Sequence, residues 1–372
     1  MTQAPARGRA PRSSLRVRSR RLLGAAAVAA LCAPAPLVTP VAVAADGPNM
    51  VLDVARMRSS ARLSTGIFHE PRRAPLLDST IPTSGTCALH PDEACVGAPG
   101  IRKLLRFDVL VHNRGDQDLV IGNPKERPDF FVYSGCHRHY HFRAAARYEL
   151  LDATGGVVRT GRKQGFCLED TLPSELGAGT PPKRYTCANQ GVQVGWADWY
   201  PGTLDCQWID VTDLPPGDYQ LHVFWNPDRL MSETTLDDNA GTIPVTIPAP
   251  RGAPPVVDAI ESPAPGALAS AGRPLDVRWR AHDDERVVTQ EVWLSTDDGA
   301  TWQQIVGDVP GDRTHHRFLV PLGAASRQAR VKVVARDASV QRGELVSEAF
   351  RIEVPRPLRL PTRGAAAARR EG

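Results

Sequence analysis

The residues Cys136-His137-Arg138-His139-Tyr140-His141 set three imidazoles at alternate positions, with a cysteine directly before the first. In an extended strand, side chains at i, i+2 and i+4 share one face. His137, His139 and His141 are therefore predicted to converge on one side, with Arg138 and Tyr140 on the other. Three neutral imidazoles that leave coordination positions open suit copper or zinc better than calcium or magnesium. A flat strand would hold the outer two Cα atoms roughly 13 Å apart. The segment must therefore bend or bulge for all three rings to reach one ion.

The elements around this motif belong to an exported chain. Residues 1–44 of the 372 carry seven arginines and no acid, and Ser19-Arg20-Arg21-Leu22-Leu23 leads into an apolar run that ends at Cys32. Ala42-Val43-Ala44 then supplies a small-x-small cleavage pattern. The paired arginines after a serine are those of a twin-arginine export signal, which carries a folded protein. The apolar run is too short to span a bilayer, and bulky Leu31 before Cys32 argues against lipid attachment. Without those seven arginines, 38 basic residues face 41 acidic ones, so the formal charge of +4 becomes −3. Nucleic-acid binding has no support in that balance.

Six cysteines remain after the signal: Cys87, Cys95, Cys136, Cys167, Cys187 and Cys206. An even number in an exported chain predicts three disulfides, and their spacing fits no zinc finger or ribbon. Fifteen pairings are open on the sequence alone. All six fall between residues 87 and 206, so one region is stapled and the rest is not.

Composition divides the chain into a signal at 1–44, a first domain at 45–248, a linker rich in proline and glycine at 249–256, a second domain at 257–355 and a disordered tail at 356–372. The stretch from Ala44 to about Gly85 reads as irregular. Residues 104–111 read as one strand before a turn at 113–116, with further strands at 219–225 and 242–247. Beyond the linker, strands at 275–279, 291–294 and 330–335 with turn signals between them predict a sandwich of immunoglobulin or fibronectin type. Within it, Ser295-Thr296-Asp297-Asp298-Gly299-Ala300-Thr301-Trp302 resembles an Asp-box hairpin, read as a turn-stabilising device. His315 and His316 read as a solvated turn. The fold class is all-β, with long stapled loops in the first domain.

Read continuously, the first domain resembles the lysyl oxidase catalytic domain over residues 48–248. The resemblance rests on Leu104-Leu105-Arg106-Phe107, His112-Asn113-Arg114-Gly115, the histidine motif, and Gly161-Arg162-Lys163-Gln164-Gly165-Phe166-Cys167-Leu168-Glu169-Asp170-Thr171. It continues through Asp205-Cys206-Gln207-Trp208-Ile209-Asp210-Val211-Thr212-Asp213, Pro215-Pro216-Gly217-Asp218-Tyr219, Asn226-Pro227 and Glu233. It implies a copper amine oxidase with His137, His139 and His141 as copper ligands. Lys163 and Tyr200 match the pair that becomes lysine tyrosylquinone. A primary amine or peptidyl lysine would be oxidised to an aldehyde, with dioxygen leaving as hydrogen peroxide and nitrogen as ammonia. Asp198, two residues before Tyr200, is the expected general base. A phenol beside copper and dioxygen can be oxidised to an electrophilic quinone, and a desolvated lysine is more readily deprotonated to add to it.

The same resemblance implies the pairs Cys87–Cys136, Cys95–Cys206 and Cys167–Cys187. A further cysteine pair of the animal family is missing, with Trp196 at one of its positions. The family's calcium site maps to Asn49, Glu233, Asp238 and Asn239, with Thr235 standing where an acid is expected. Ser134 stands where some relatives carry another histidine. The second domain lies outside the resemblance and is expected to space the enzyme or to contact a cell surface or matrix. Two other classes draw on the same residues: a non-enzymatic secreted copper-binding protein, and a surface-interaction protein with a vestigial oxidase. The first expects unmodified Lys163 and Tyr200, and the second expects surface binding without peroxide production.

Overall fold

The computed structural model describes residues 46–69, 87–91, 93–161, 166–174 and 181–355. The expected signal and tail lie outside these residues. The first half holds β1 (Met50–Leu52), α1 (Val54–Ser60), β2 (Arg62–Phe68), β3 (Gly100–Arg106), β4 (Val109–Asn113) and β5 (Leu119–Gly122). There follow β6 (Phe131–Ser134), β7 (His139–Phe142), β8 (Ala146–Leu151), β9 (Val157–Thr160) and β10 (Leu172–Pro173). It closes with β11 (Gln190–Val192), β12 (Trp196–Tyr200), β13 (Trp208–Asp210), β14 (Gly217–Trp225) and β15 (Ala240–Ile247).

Short strands and many turns divide this half into small sheets. Their orders are β1-β4-β12-β10, β13-β3-β2 and β15-β14-β8-β9, with β5 paired to β11 and β6 to β7. The sheets meet over one core containing Phe107, Phe142, Tyr148, Leu150, Phe166, Tyr200, Leu221 and Trp225. Burying an aliphatic or Phe side chain of this kind contributes about 1.5–3 kcal/mol.

Two sequence expectations are corrected here. The stretch after Ala44 is not irregular over residues 46–69, which contain β1, α1 and β2; the remainder to about Gly85 lies outside the described residues. Asp53 caps α1 by accepting from Arg56 N at 2.8 Å, and β2 gains its order by pairing along β3. Nor is 104–111 one strand. It breaks at Phe107-Asp108 because Asp108 turns inward, accepting from Gly202 N, Arg56 Nε and Trp199 Nε1 at 2.8, 2.7 and 3.1 Å. The two pieces then enter different sheets.

No regular element lies between Ile247 and Val256. Beyond it come β16 (Val256–Ser262), β17 (Leu268–Ser270), β18 (Pro274–His282), β19 (Thr289–Ser295) and β20 (Gln303–Pro310). The last are β21 (His315–Leu319), β22 (Ser326–Arg336), β23 (Arg342–Val346) and β24 (Phe350–Glu353). The sheet β16-β18-β21 faces the sheet β17-β24-β22-β19-β20, with β23 also on β22, across Val277, Trp279, Val292, Leu294, Val331 and Phe350. This is the expected immunoglobulin/fibronectin-like sandwich. The Asp-box residues close the β19–β20 hairpin, where Asp297 accepts from Thr301 N at 2.8 Å and Ser295 Oγ at 2.7 Å. His315 and His316 are not in a turn but on β21, drawn into register with Arg278 and Val277 of β18.

The halves are joined by buried polar contacts. Arg336 Nε donates to Glu291 within the sandwich and its Nη1 donates to Asp213 of the first half, both at 2.8 Å. Ile101 N donates to Thr289 Oγ1 at 3.2 Å. A Cβ at Gly100, whose φ is +100°, would lie 2.4 Å from Gly307 O. Glycine permits both this backbone geometry and the close approach.

Candidate active site

β6 and β7 form a hairpin in which Ser134 opposes His139 and Phe131 opposes Phe142. Only His139 and His141 alternate along β7. His137 lies in the connecting turn, so the expectation of three histidines on one strand is corrected. The required bend is supplied by Arg138, whose φ of +61° reverses the chain. The three ring centroids lie 4.9–5.8 Å apart. One ring nitrogen from each histidine lies within 4.8 Å of the others, and Nε2 of His139 is 3.0 Å from Nε2 of His141. Two nitrogens bound at about 2.0–2.1 Å to one ion, near a right angle, have about this separation. The donor set therefore fits copper or zinc.

The strand bearing His141 also touches the segment that packs on Tyr200. Phe142 N donates to Phe166 O at 2.7 Å, and the Phe166 ring lies 4.2 Å from the ring of Tyr200. Tyr200 ends β12, held against β4. Its hydroxyl lies 2.5 Å from Cys167 O and is hydrogen-bonded to Asp198 Oδ2. Asp198 is fully buried, not a surface carboxylate, and the same oxygen accepts from Glu169 N at 3.2 Å.

Burial pushes the Asp198 carboxyl well above the ordinary carboxylate range. Burial first, and then the Asp198 carboxyl, push the Tyr200 phenol well above its own. A phenol has one proton for two neighbouring oxygens. Tyr200 Oη can therefore donate to Asp198 Oδ2 or to Cys167 O, which compete for its one proton. Lys163 lies outside the described residues; the next one described is Phe166.

The disulfides are Cys87–Cys136, Cys95–Cys206 and Cys167–Cys187, the three pairs the resemblance implies. The first ends beside His137 and the third holds Cys167 under Tyr200. Trp196, at a position of the missing family cysteine pair, donates Nε1 to Pro181 O at 3.2 Å and tethers that loop.

Sequence reasoning missed Glu93. This buried carboxylate accepts from Ser134 Oγ at 2.7 Å and lies 3.2 Å from His137 Nδ1. No motif marks it. The nearest signal is its place two residues before Cys95, in a segment fixed by two disulfides.

Asn49, Glu233, Asp238 and Asn239 also come together, apart from the histidines. Asn49 Nδ2 donates to Asp238 at 2.9 Å, and Glu233 accepts from Asn239 at 2.8 Å, Asn226 at 2.7 Å and Met50 N at 2.9 Å. Oδ1 atoms of Asn49, Asp238 and Asn239 are buried and accept no hydrogen bond among the described residues. Oxygen atoms left so suit a hard cation such as calcium.

The sequence model of the lysyl oxidase family matches residues 79–247. This segment therefore carries a lysyl oxidase-family domain. The lysyl oxidase domain is similar to lysyl oxidase homolog 2 of Gallus gallus, 44% identical over 144 residues, which are 38% of this chain and 18% of that protein. It is also similar to lysyl oxidase homolog 2 of Rattus norvegicus, 36% identical over 205 residues, 54% of this chain and 24% of that protein. The chain thus spans about a fifth of the length of these relatives. Among solved structures, fibronectin(III)-like modules of Clostridium thermocellum CbhA align over 67% of this chain at 9% identity, with a TM-score of 0.23. Among the described residues no helix is long and apolar enough to cross a membrane.

Proposed function

We propose that the chain is a secreted copper-dependent amine oxidase that converts primary amines, including peptidyl lysine, to aldehydes with release of hydrogen peroxide and ammonia. The supporting observation is the set of three imidazole nitrogens within 4.8 Å of one another inside a lysyl oxidase domain. In this reading His137, His139 and His141 hold copper, and Lys163 and Tyr200 supply the quinone. Copper would contribute one-electron chemistry with dioxygen, and the quinone an electrophilic carbonyl for the amine.

The chain's own residues have defined tasks. Asp198 Oδ2 accepts from Tyr200 Oη and can take up that proton as the ring is oxidised. A carboxyl raised by burial sits nearer the working pH, where it serves as both acid and base. Asp198 is accordingly our base for the α-proton of the amine. Cys167–Cys187 and Phe166 fix the floor under Tyr200, while Cys87–Cys136 fixes the start of the histidine turn. The sandwich begins after the linker at 249–256, and in this reading spaces the domain or meets a surface.

Peptide mass spectrometry on copper-loaded protein tests this. A covalent link between the Lys163 and Tyr200 peptides, absent in Lys163→Arg, is expected together with peroxide release on a primary amine. Unmodified, separate peptides in protein shown to hold copper would sink the quinone mechanism.

A further inference from the structure

We propose that Glu93 is a positioning residue that selects which nitrogen two of the three histidines present to the metal, with Ser134 holding it in place. The inference rests on reading these histidines as copper ligands. A single oxygen, Glu93 Oε1, lies 2.7 Å from Ser134 Oγ, 3.2 Å from His137 Nδ1 and 3.9 Å from His141 Nδ1. Both imidazoles thus bring the same nitrogen within 4 Å of one carboxylate, as electrostatic approaches rather than hydrogen bonds. In a neutral imidazole one nitrogen carries the hydrogen and the other is the donor atom for a metal. A carboxylate facing Nδ1 favours Nδ1–H, which leaves Nε2 of His137 and His141 for the ion. That agrees with the independent placement of His141 Nε2, which faces His139 Nε2.

His137 has a second acid within reach, which would select the opposite tautomer. Asp205 Oδ2 stands 4.0 Å from His137 Nε2. Distance and environment both favour Glu93. It is closer, and its side chain is 5% exposed against 41% for Asp205, so its field is less screened by water. Ser134 completes the device. Its Oγ donates to Glu93 and accepts from His137 N at 3.1 Å, and its carbonyl accepts from Arg138 N at 2.8 Å. Cys95–Cys206 and Cys87–Cys136 bracket the segment that carries Glu93, so the carboxylate is set before any metal arrives.

Outer partners of this type change metal affinity by about 10–100-fold when removed. The test uses the full exported chain without metal, labelled with nitrogen-15, and then Cu(II) alone as the probe. Long-range proton–nitrogen spectra of the metal-free protein should show the Nδ1–H tautomer at His137 and His141. Glu93→Gln should redistribute the His137 tautomer, lower Cu(II) affinity about 10–100-fold in chelator competition and alter the Cu(II) electron paramagnetic resonance spectrum. Ser134→Ala should do the same to a smaller extent.

A folded Glu93→Gln variant with all three disulfides and wild-type tautomers, affinity and spectrum would overturn the proposal. Should that variant not fold, Ser134→Ala decides, and unchanged tautomers there overturn it equally. Wild-type protein that binds no copper through these histidines defeats the oxidase reading instead. The metal-free tautomers still judge Glu93 in that case.

Discussion

The two halves of the chain stabilise themselves by different means. The sandwich closes over Val, Ile, Leu, Trp and Phe from two facing sheets, with hairpin turns and no cysteine. Both halves bury polar groups, Asp170, Asp198 and Gln207 in the lysyl oxidase domain and Gln290, Glu291 and Arg336 in the sandwich, but the lysyl oxidase domain contains all three disulfides. Of the nine described non-glycine residues with positive φ, seven lie between Ala94 and Arg229, and two, Asp298 and Val340, lie in the sandwich. Unusual backbone and buried polar groups persist where surrounding structure over-determines them, and they cluster at sites. The first half adds cross-links and unusual backbone to its apolar core, where the sandwich relies on its facing sheets.

The junction is where this contrast is most easily broken. Arg336 and Glu291 have side chains only 4% exposed, and Asp213 closes the pair from the other half. Arg336→Ala leaves a buried carboxylate uncompensated, and losses of this kind reach about 3–5 kcal/mol. Calorimetry is expected to show the sandwich transition lowered and separated from that of the first domain. One unchanged cooperative transition would show that Arg336 contributes nothing to the coupling.

Next in size is the cross-link. Cys95–Cys206 spans 111 residues, and replacing both cysteines by serine should destabilise the first half by about 2–5 kcal/mol. The sandwich transition, followed by calorimetry in the Arg336→Ala background where the halves are separated, should not move. Equal loss in both halves would erase the proposed division.

How far the sequence reached follows the same line. Alternating apolar residues made β14, β15, β18, β19 and β22 legible, because each presents a face to a core. The histidine motif was legible as donors but not as a shape. Three alternating residues imply a strand, whereas the reversal at Arg138 depends on the hairpin closing onto β6. Glu93 was invisible, since one acid in an irregular segment looks like any solvated turn until the disulfides fold it over the histidines. The break at Phe107-Asp108 was hidden because what turns Asp108 inward, Gly202 and Trp199, lies over ninety residues away. Family resemblance, not spacing, fixed the cysteine pairing.

Asp198 sharpens the comparison through pH. Burial raises its carboxyl above the unfolded value, near 3.8. The folded state therefore holds a proton that the unfolded chain releases. This contribution is full below that value and is lost as pH rises toward the folded value, at up to about 1.4 kcal/mol per pH unit. Asp198→Asn removes the titration. Its stability relative to wild type should therefore increase from pH 4 upward, in the first half alone. Parallel curves from pH 4 to 7 would mean that Asp198 is ionised when folded.

The smallest effect concerns the oxygen cluster at Asn49, Asp238 and Asn239. Two carboxylates, Glu233 and Asp238, supply its charge, and both Glu233 oxygens already accept from N–H donors. Thr235 adds none. Sites with so little charge bind calcium weakly, in the range of about 0.1–1 mM found for extracellular modules. At about 2 mM calcium this corresponds to about 0.6–1.8 kcal/mol of stabilisation. Copper-free protein should therefore melt a few degrees higher with calcium than without, in the first transition only. Asp238→Ala should abolish that difference while leaving Cu(II) affinity at the histidines intact. A calcium effect that survives in Asp238→Ala would assign the ion elsewhere. A shift confined to the sandwich would reverse the contrast, placing the ion in the half whose apolar core needs it least.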